Sequence, residues 1–357
     1  MIINLFSRFS YFINDFKLYL ILDVVSVFIC LYLLLKIIKS KLPEINKKIL
    51  STFIFSLVLI ILTFSVFEGY FRYVYDESDG LGFLKVNKKW QERHVVYNAY
   101  FYRDRDFTIE KKEGVTRIGV LGDSLTFGAG VKNINNRFSN LLEQKLKEAG
   151  KNVEVYNLGV PGIDTQAEIE QYQKVKNLNF DIIIWEYFLN DIQPEGKSTG
   201  AGILNVNSHT DKIIKSISEI SYFFNFMYWR LTPKYQSTYE QLKNADLKQY
   251  SNEEILTEHK NDIKNFISSL TAENKKVVVI IFPLLNFLGP NYPATDIHKM
   301  MSDHFSKNGA QVIDLLGDLK DKNPKDLVAS QFDSHPNDKV HALAAEKLYN
   351  ELLNLIN

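Results

Sequence analysis

Arg117-Ile-Gly-Val-Leu-Gly-Asp-Ser-Leu125 is the stretch whose pattern decides the fold of this 357-residue chain. Residues 117–121 form a short apolar run of the kind that fills a buried strand. Gly122-Asp123-Ser124-Leu125 interrupts it with turn residues, and Phe138, Leu141, Leu142 and Leu146 follow at helical spacing, with Gly150 placed to stop the helix. The alternation continues downstream. Residues 153–157 and 181–185 are a second and a third strand, and Asp164 between them is a good N-cap. Ser251 and Glu254 form a capping-box pattern ahead of a helix carrying Ile255, Ile263, Phe266, Ile267 and Leu270. Residues 277–282, stopped by Pro283, make a fourth strand, 311–315 a short fifth, and 341–356 a final helix. Strand and helix in turn predict an α/β domain with a parallel sheet covered by helices on both faces.

Upstream of this domain the composition changes. Residues 18–38 are nearly all apolar, interrupted by Asp23 and Lys36, and residues 49–67 carry no charge. Each run is about 20 residues, enough for a helix to cross a ~30 Å hydrocarbon layer. Residues 1–69 therefore read as a transmembrane hairpin. Its short connector holds Lys36, Lys39, Lys41, Lys47 and Lys48 against Glu44, which places the connector on the cytoplasmic side and the C-terminal domain outside the cytoplasmic membrane. Residues 70–114 are too aromatic for a free tether and read as a linker packing on the domain of residues 115–357. Within that domain, residues 192–250 form an insertion longer than an ordinary connection, either a structural element, a lid over the site or a surface resting on the bilayer.

Lys+Arg and Asp+Glu number 42 each, so there is no electrostatic footprint for nucleic acid. Cys30 is the only cysteine, which excludes an internal disulfide and a cysteine-built zinc site. His94, His209, His259, His298 and His304 show no metal-ligand spacing, and no cofactor is implied.

In open α/β sheets, ligands bind beyond the carboxyl ends of the strands. There the sequence puts Asp123-Ser124, Asn157-Leu-Gly-Val-Pro-Gly162, Asn190-Asp191 and Asp333-Ser-His335. A serine hydroxyl needs a base, and His335 is able to serve near neutral pH. A carboxylate on the far ring nitrogen fixes the tautomer, and Asp333 is the nearest candidate. The Ser124 and Gly162 backbone N–H groups and the Asn190 side-chain amide are candidate donors to an oxyanion, with Gly159 the alternative to Gly162. Asp123 and Asp191 read as turn-stabilising groups, and His341 as a packing residue of the final helix. A phosphate-binding G-x-x-x-x-G-K-[ST] loop and the G-x-S-x-G elbow are both absent.

These four segments resemble the ordered blocks of SGNH/GDSL hydrolases over residues 115–357. The resemblance implies a flavodoxin-like three-layer αβα fold and metal-free chemistry on acyl esters. It implies Ser124 as nucleophile, Gly162 and Asn190 as oxyanion donors, and Asp333 and His335 as the supporting pair. The chain departs from the pattern in carrying Phe188 where the family has a glycine, and Phe332 where many members have the triad carboxylate, three residues before the histidine. Three functions follow as expectations. The first is an esterase or deacylase whose substrate is an acyl ester of a surface glycan or lipid. The second is an O-acyltransferase modifying a surface polysaccharide, which two spans alone do not supply with acyl donor and which requires a membrane transporter as partner. The third is a non-catalytic glycan-binding or assembly protein.

Overall fold

The computed structural model describes residues 2–192, 212–353 and 355–356. The chain divides into two compact units, Met1–Asp76 with Lys212–Tyr228, and Glu77–Asp211 with Trp229–Asn357. In the first, helices α1 (Ile2–Ile38) and α2 (Glu44–Gly69) pack as a hairpin, and α2 continues as a π-helical turn, Tyr70–Val74. Leu20–Ile38 and Glu44–Val74 are long and apolar enough to cross a membrane, and Phe28, Tyr32, Phe53, Ile60 and Val66 are exposed along them. Asp23, the one acid inside the first run, accepts a hydrogen bond from the Ser65 hydroxyl of α2. A polar pair of this kind fixes which turns of two apolar helices face each other.

The second unit opens with α3 (Val86–His94), followed by β1 (Thr116–Gly122), the one-turn α4 (Ser124–Phe127), α5 (Phe138–Glu148), β2 (Val153–Gly159), α6 (Thr165–Val175) and β3 (Ile182–Tyr187). Helices α7 (Lys212–Ile220), α8 (Tyr222–Leu231) and α9 (Lys234–Gln249) come next in the chain, and α7 and most of α8 belong to the first unit. The sheet unit resumes with α10 (Glu253–Ala272), β4 (Lys276–Ile281), α11 (Thr295–Lys307), β5 (Gln311–Asp314), the short α12 (Leu316–Leu319), the strands β6 (Val328–Ser330) and β7 (Asp333–Pro336), and α13 (Asp338–Leu352).

The main sheet is parallel throughout, in the order β2-β1-β3-β4-β5. From β1 the chain steps outward to β2, then returns past β1 to β3 and continues to β5. Because crossovers are right-handed, this reversal sends helices to opposite faces. Accordingly α5 packs with α13, while α6 and α11 pack against α10. The central strands are buried on both faces, with Val120, Ile183, Ile184, Val278 and Ile280 inaccessible to solvent, which is why they appear in the sequence as uninterrupted apolar runs. The expected α/β architecture with five parallel strands is the one observed.

Three local features differ from the sequence reading. The N-cap of α10 is Asn252, whose side chain accepts from the Glu254 and Ile255 N–H groups, so Ser251 stands one residue outside the helix. Asp333-Ser-His335 does not follow the fifth strand directly: it lies in β7, paired antiparallel with β6. The expected linker contains α3, with Trp90 buried, and the deeply buried Arg103. Part of the expected insertion, residues 193–211, and with it His209, lies outside the described residues.

Close packing at the strand ends gives a test. A Cβ on Gly159 would stand 2.1 Å from the Phe127 backbone nitrogen, whereas one on Gly317 meets nothing within 4 Å. Gly159→Ala is expected to destabilise the domain by roughly 2–3 kcal/mol, as overpacking does, and Gly317→Ala by no more than about 0.5 kcal/mol. Denaturant unfolding of the two variants side by side checks this; equal stabilities would contradict it.

Candidate active site

Ser124 begins α4 immediately beyond the carboxyl end of β1, beside the crevice where the chain reverses direction. The turn is held from below and from the side. The Asp123 carboxylate caps α4 by accepting from the Leu125 N–H at 2.8 Å, and its other oxygen lies 3.2 Å from the Ser124 hydroxyl oxygen. Beneath it, Glu186 of β3 accepts from the Asp123 N–H at 3.2 Å and the Thr126 hydroxyl at 3.1 Å. Burial, reinforced by the nearby Asp123 and Asp191 carboxyls, holds Glu186 well above the usual carboxylate range. Gly122 leaves room for this arrangement, since a Cβ there would come within 2.5 Å of both Thr126 Oγ1 and Glu186 Oε2.

Two buried arginines close the far side of the turn. Arg103 donates to the carbonyls of Gly128 and Val131, each at 2.7 Å, and to that of His94. Arg137 donates to the carbonyls of Arg103 and Phe127. Burial draws both guanidinium pKa values down to about 10, so both remain charged.

The structure brings His335 and Asp333 to Ser124. His335 Nε2 lies 2.9 Å from Ser124 Oγ, and His335 Nδ1 is hydrogen-bonded to Asp333 Oδ1. The same carboxylate oxygen accepts the His335 backbone N–H at 3.1 Å. The two-residue spacing works because both side chains lie on strand β7, where residues i and i+2 share a face. Phe332, at the position used by many relatives of the resembled pattern, is buried, and its carbonyl accepts from the Tyr235 hydroxyl and the Gly80 N–H instead. Burial alone would raise the Asp333 pKa, but the facing imidazole outweighs it and holds the carboxyl below its ordinary value. For His335, burial lowers the pKa, and the Asp333 charge overcomes this and leaves it raised.

Gly162 and Asn190 line the same cleft of about 900 Å³ as Ser124 and His335. Gly162 adopts φ +77°, in the left-handed region that favours glycine. The Asn190 amide nitrogen is 3.4 Å from Asp123 Oδ2. Gly159, the alternative donor, lies inside β2, and its N–H is occupied by Asn157 Oδ1 at 3.1 Å. Asp191 accepts from the Phe188 N–H, and His341 packs its ring on Phe138 while accepting the Phe138 N–H. Burial pulls the His341 pKa down to about 3, so this imidazole is neutral.

Two walls of the cleft come from outside the motif segments, the second from within the expected insertion of residues 192–250, for which a lid over the site was one expected reading. One is the segment around Ser78–Leu81 with Trp90 and Tyr97, which precedes β1. A Cβ on Gly80 would lie 3.5 Å from Asp333 Oδ1 and 3.8 Å from His335 Nδ1, so this backbone packs directly against the His335–Asp333 contact. Asp79 anchors the segment by accepting from the N–H groups of Leu81 and Leu84 and from the Tyr235 hydroxyl. The Asp79-Gly80 pair was the available signal, as a turn dipeptide. The other wall is α9, which contributes Tyr239, Leu242 and Lys243. The Lys243 ammonium sits 5.0 Å from the centre of the Phe188 ring and 3.2 Å from Asp246. Phe188 therefore narrows the cleft with an aromatic face where the resembled pattern has a glycine.

A family model described as the GDSL-like Lipase/Acylhydrolase family matches residues 120–343. Among solved structures, a lipase/acylhydrolase from Enterococcus faecalis is similar at 15% identity, over 68% of this chain and 97% of that one, with a TM-score of 0.41. A psychrotrophic esterase from Pseudoalteromonas sp. matches at 15% identity over 67% of this chain and 98% of its own, with a TM-score of 0.38. A two-domain esterase active on acetylated mannans matches at 12% identity over 75% of this chain and 52% of its own, with a TM-score of 0.41. No curated protein matches. With the family model spanning more than half of the sequence, the chain belongs to the GDSL-like lipase/acylhydrolase family, hydrolases that act on ester bonds.

Proposed function

We propose that the protein hydrolyses an acyl ester through an acyl-enzyme on Ser124. The observation that carries this reading is the unbroken chain from Ser124 Oγ to His335 Nε2 at 2.9 Å, and from His335 Nδ1 to the buried Asp333 carboxylate. Ser124 attacks the ester carbonyl as His335 Nε2 takes its proton. Asp333 stays ionised, holds the imidazole in the tautomer that leaves Nε2 free to accept, and stabilises the imidazolium once it forms. The Ser124 and Gly162 N–H groups and the Asn190 amide receive the negative charge on the carbonyl oxygen. The Ser124 N–H suits this because the first N–H groups of a helix have no intrahelical partner. Collapse of the intermediate expels the alcohol, which takes the proton from His335. Water, deprotonated by the same imidazole, then releases the acid and restores Ser124.

A non-catalytic binding role has no need of a serine, an imidazole and a carboxylate in a connected line, and it is the weaker reading. The substrate is an acyl ester of a glycan or lipid at the outer face of the cytoplasmic membrane, with α1 and α2 as the anchor. Support for this location comes from the length and apolar composition of Leu20–Ile38 and Glu44–Val74 and from the lysine-rich connector between them.

Ser124→Ala is expected to lower the hydrolysis of a short-chain nitrophenyl ester by about 10⁴-fold or more. Full retained activity would eliminate the acyl-enzyme. A fluorophosphonate probe is expected to label Ser124 in the unaltered protein, as read by peptide mass spectrometry.

The pH profile follows from the sign of the His335 shift. The base acts only when neutral, so activity falls as pH drops through its pKa. Because Asp333 raises that pKa, the midpoint of the acid limb of kcat/KM is expected above about 6.5, the ordinary imidazole value. In Asp333→Asn the raising charge is gone while burial remains. The midpoint then moves to lower pH, and the plateau drops by about 10³–10⁴-fold. An unchanged profile in this variant would remove Asp333 from the mechanism.

A further inference from the structure

The carboxylate of Glu68, at the end of α2, is completely buried and fully engaged. It accepts from Arg72 Nε at 2.9 Å, the Ser221 hydroxyl at 2.7 Å, and the backbone N–H groups of Tyr222 and Phe223 at 3.0 Å each. The last two are the first N–H groups of α8, so Glu68 caps that helix from a distant part of the chain. Arg72 adds a 2.7 Å bond to the Ile220 carbonyl at the end of α7 and lies over the Tyr222 ring, 4.8 Å from its centre. Phe64, Phe67 and Phe71 of α2 and its extension pack around Phe223, and Phe71 and Tyr75 around Phe226. The corner between α7 and α8 is thus clipped to the end of α2, and all of these residues belong to one compact unit.

The level of this clip along α2 can be worked out. The uncharged run of residues 49–67 is centred on Val58. Glu68 lies about ten residues farther on, roughly 15 Å along the axis at 1.5 Å per residue. That is half the thickness of a ~30 Å hydrocarbon layer. The clip therefore falls at the level of the lipid headgroups, where the surrounding Tyr70, Tyr73, Tyr75 and Tyr222 match the aromatic belt of membrane interfaces. Next to it, α7 leaves Ile217 and Ile220 40% and 69% exposed. They are three residues apart and share a helix face. Near the same end of the span, Val66 of α2 and Val74 of its π-helical extension are 71% and 61% exposed. A β-branched apolar pair at that height suits burial at the hydrocarbon boundary.

We propose that α7 and the start of α8 form an interfacial foot, lying in the headgroup layer of the bilayer that α2 crosses, with Ile217 and Ile220 directed into its apolar boundary. The inference rests on the reading of α2 as a membrane span. Its occupant is lipid, because a buried carboxylate clips the corner to α2 at the headgroup level of the span and leaves an apolar pair exposed there.

Depth-dependent quenching in the full-length chain tests it. In a Cys30→Ala background, Ile220→Cys and, separately, Ile60→Cys carry an environment-sensitive fluorophore, and the protein is reconstituted in phosphatidylethanolamine–phosphatidylglycerol nanodiscs. Ile60 is 64% exposed near the middle of α2, so its probe reports the span itself. Spin-labelled lipids with the label at a shallow or a deep acyl position serve as quenchers. The expected result is loss of Ile220 probe fluorescence with the shallow label in preference to the deep one, and the reverse order for the Ile60 probe. An unquenched Ile220 probe beside a quenched Ile60 probe would overturn the foot and leave the span standing. An Ile220 probe quenched best by the deep label would also overturn it. If neither probe is quenched, the span fails and the foot fails with it.

Discussion

The turn after β1 has to fit between the ends of two neighbouring strands, and the space it occupies exists only because Gly122 and Gly159 carry no side chains. At Gly159 the backbone of Phe127 stands where a Cβ would be, and at Gly122 the Glu186 carboxyl and the Thr126 hydroxyl do. The close approach lets Glu186 bond to Asp123, which lets Asp123 cap α4, which sets the direction of Ser124. Arg103 and Arg137 then hold the carbonyls that emerge from the other end of the turn. Interiors packed this tightly transmit small displacements. The position of the Ser124 hydroxyl is therefore a property of the whole strand-end arrangement.

The neighbouring half of the site obeys a different geometry. Asp333 and His335 sit on a strand, so their two-residue spacing is the one that turns both side chains the same way. A three-residue spacing would need a turn to achieve the same meeting. The Asp333 carboxylate is shared between the ring and the backbone of the same histidine, which limits how far either can rotate. The backbone of Gly80 packs against that contact, and the Asp333 carboxylate is buried there, where a charge-assisted hydrogen bond is stronger than in bulk solvent.

The sheet was legible because parallel strands buried on both faces leave apolar runs, and because Gly, Asn and Asp mark where those runs end. Ser124, Gly162 and Asn190 were legible for the same reason, as residues just past a strand. What was not legible depended on contacts between distant segments. Three-residue β6 and four-residue β7 are too short to show a period. Whether Asn252 or Ser251 caps α10 depends on which backbone leaves the helix first, and both residues are good caps. Lys243 has an ordinary helical context, and only the position of α9 turns it toward the cleft. The segment around Ser78 has no regular structure of its own, so its order comes from Asp79, Tyr235 and the Phe332 carbonyl rather than from its own pattern.

That segment also sets the size of the working unit. The family's motifs lie within residues 120–343, yet the backbone covering Asp333 comes from Gly80 and the cation bracing the serine turn comes from Arg103. A shortened chain beginning at the first strand would keep every motif residue and lose the backbone packed against Asp333 and His335 and the brace behind Ser124. The boundary drawn by family resemblance and the boundary drawn by physical support are therefore different, and the second lies roughly 40 residues upstream, before Ser78.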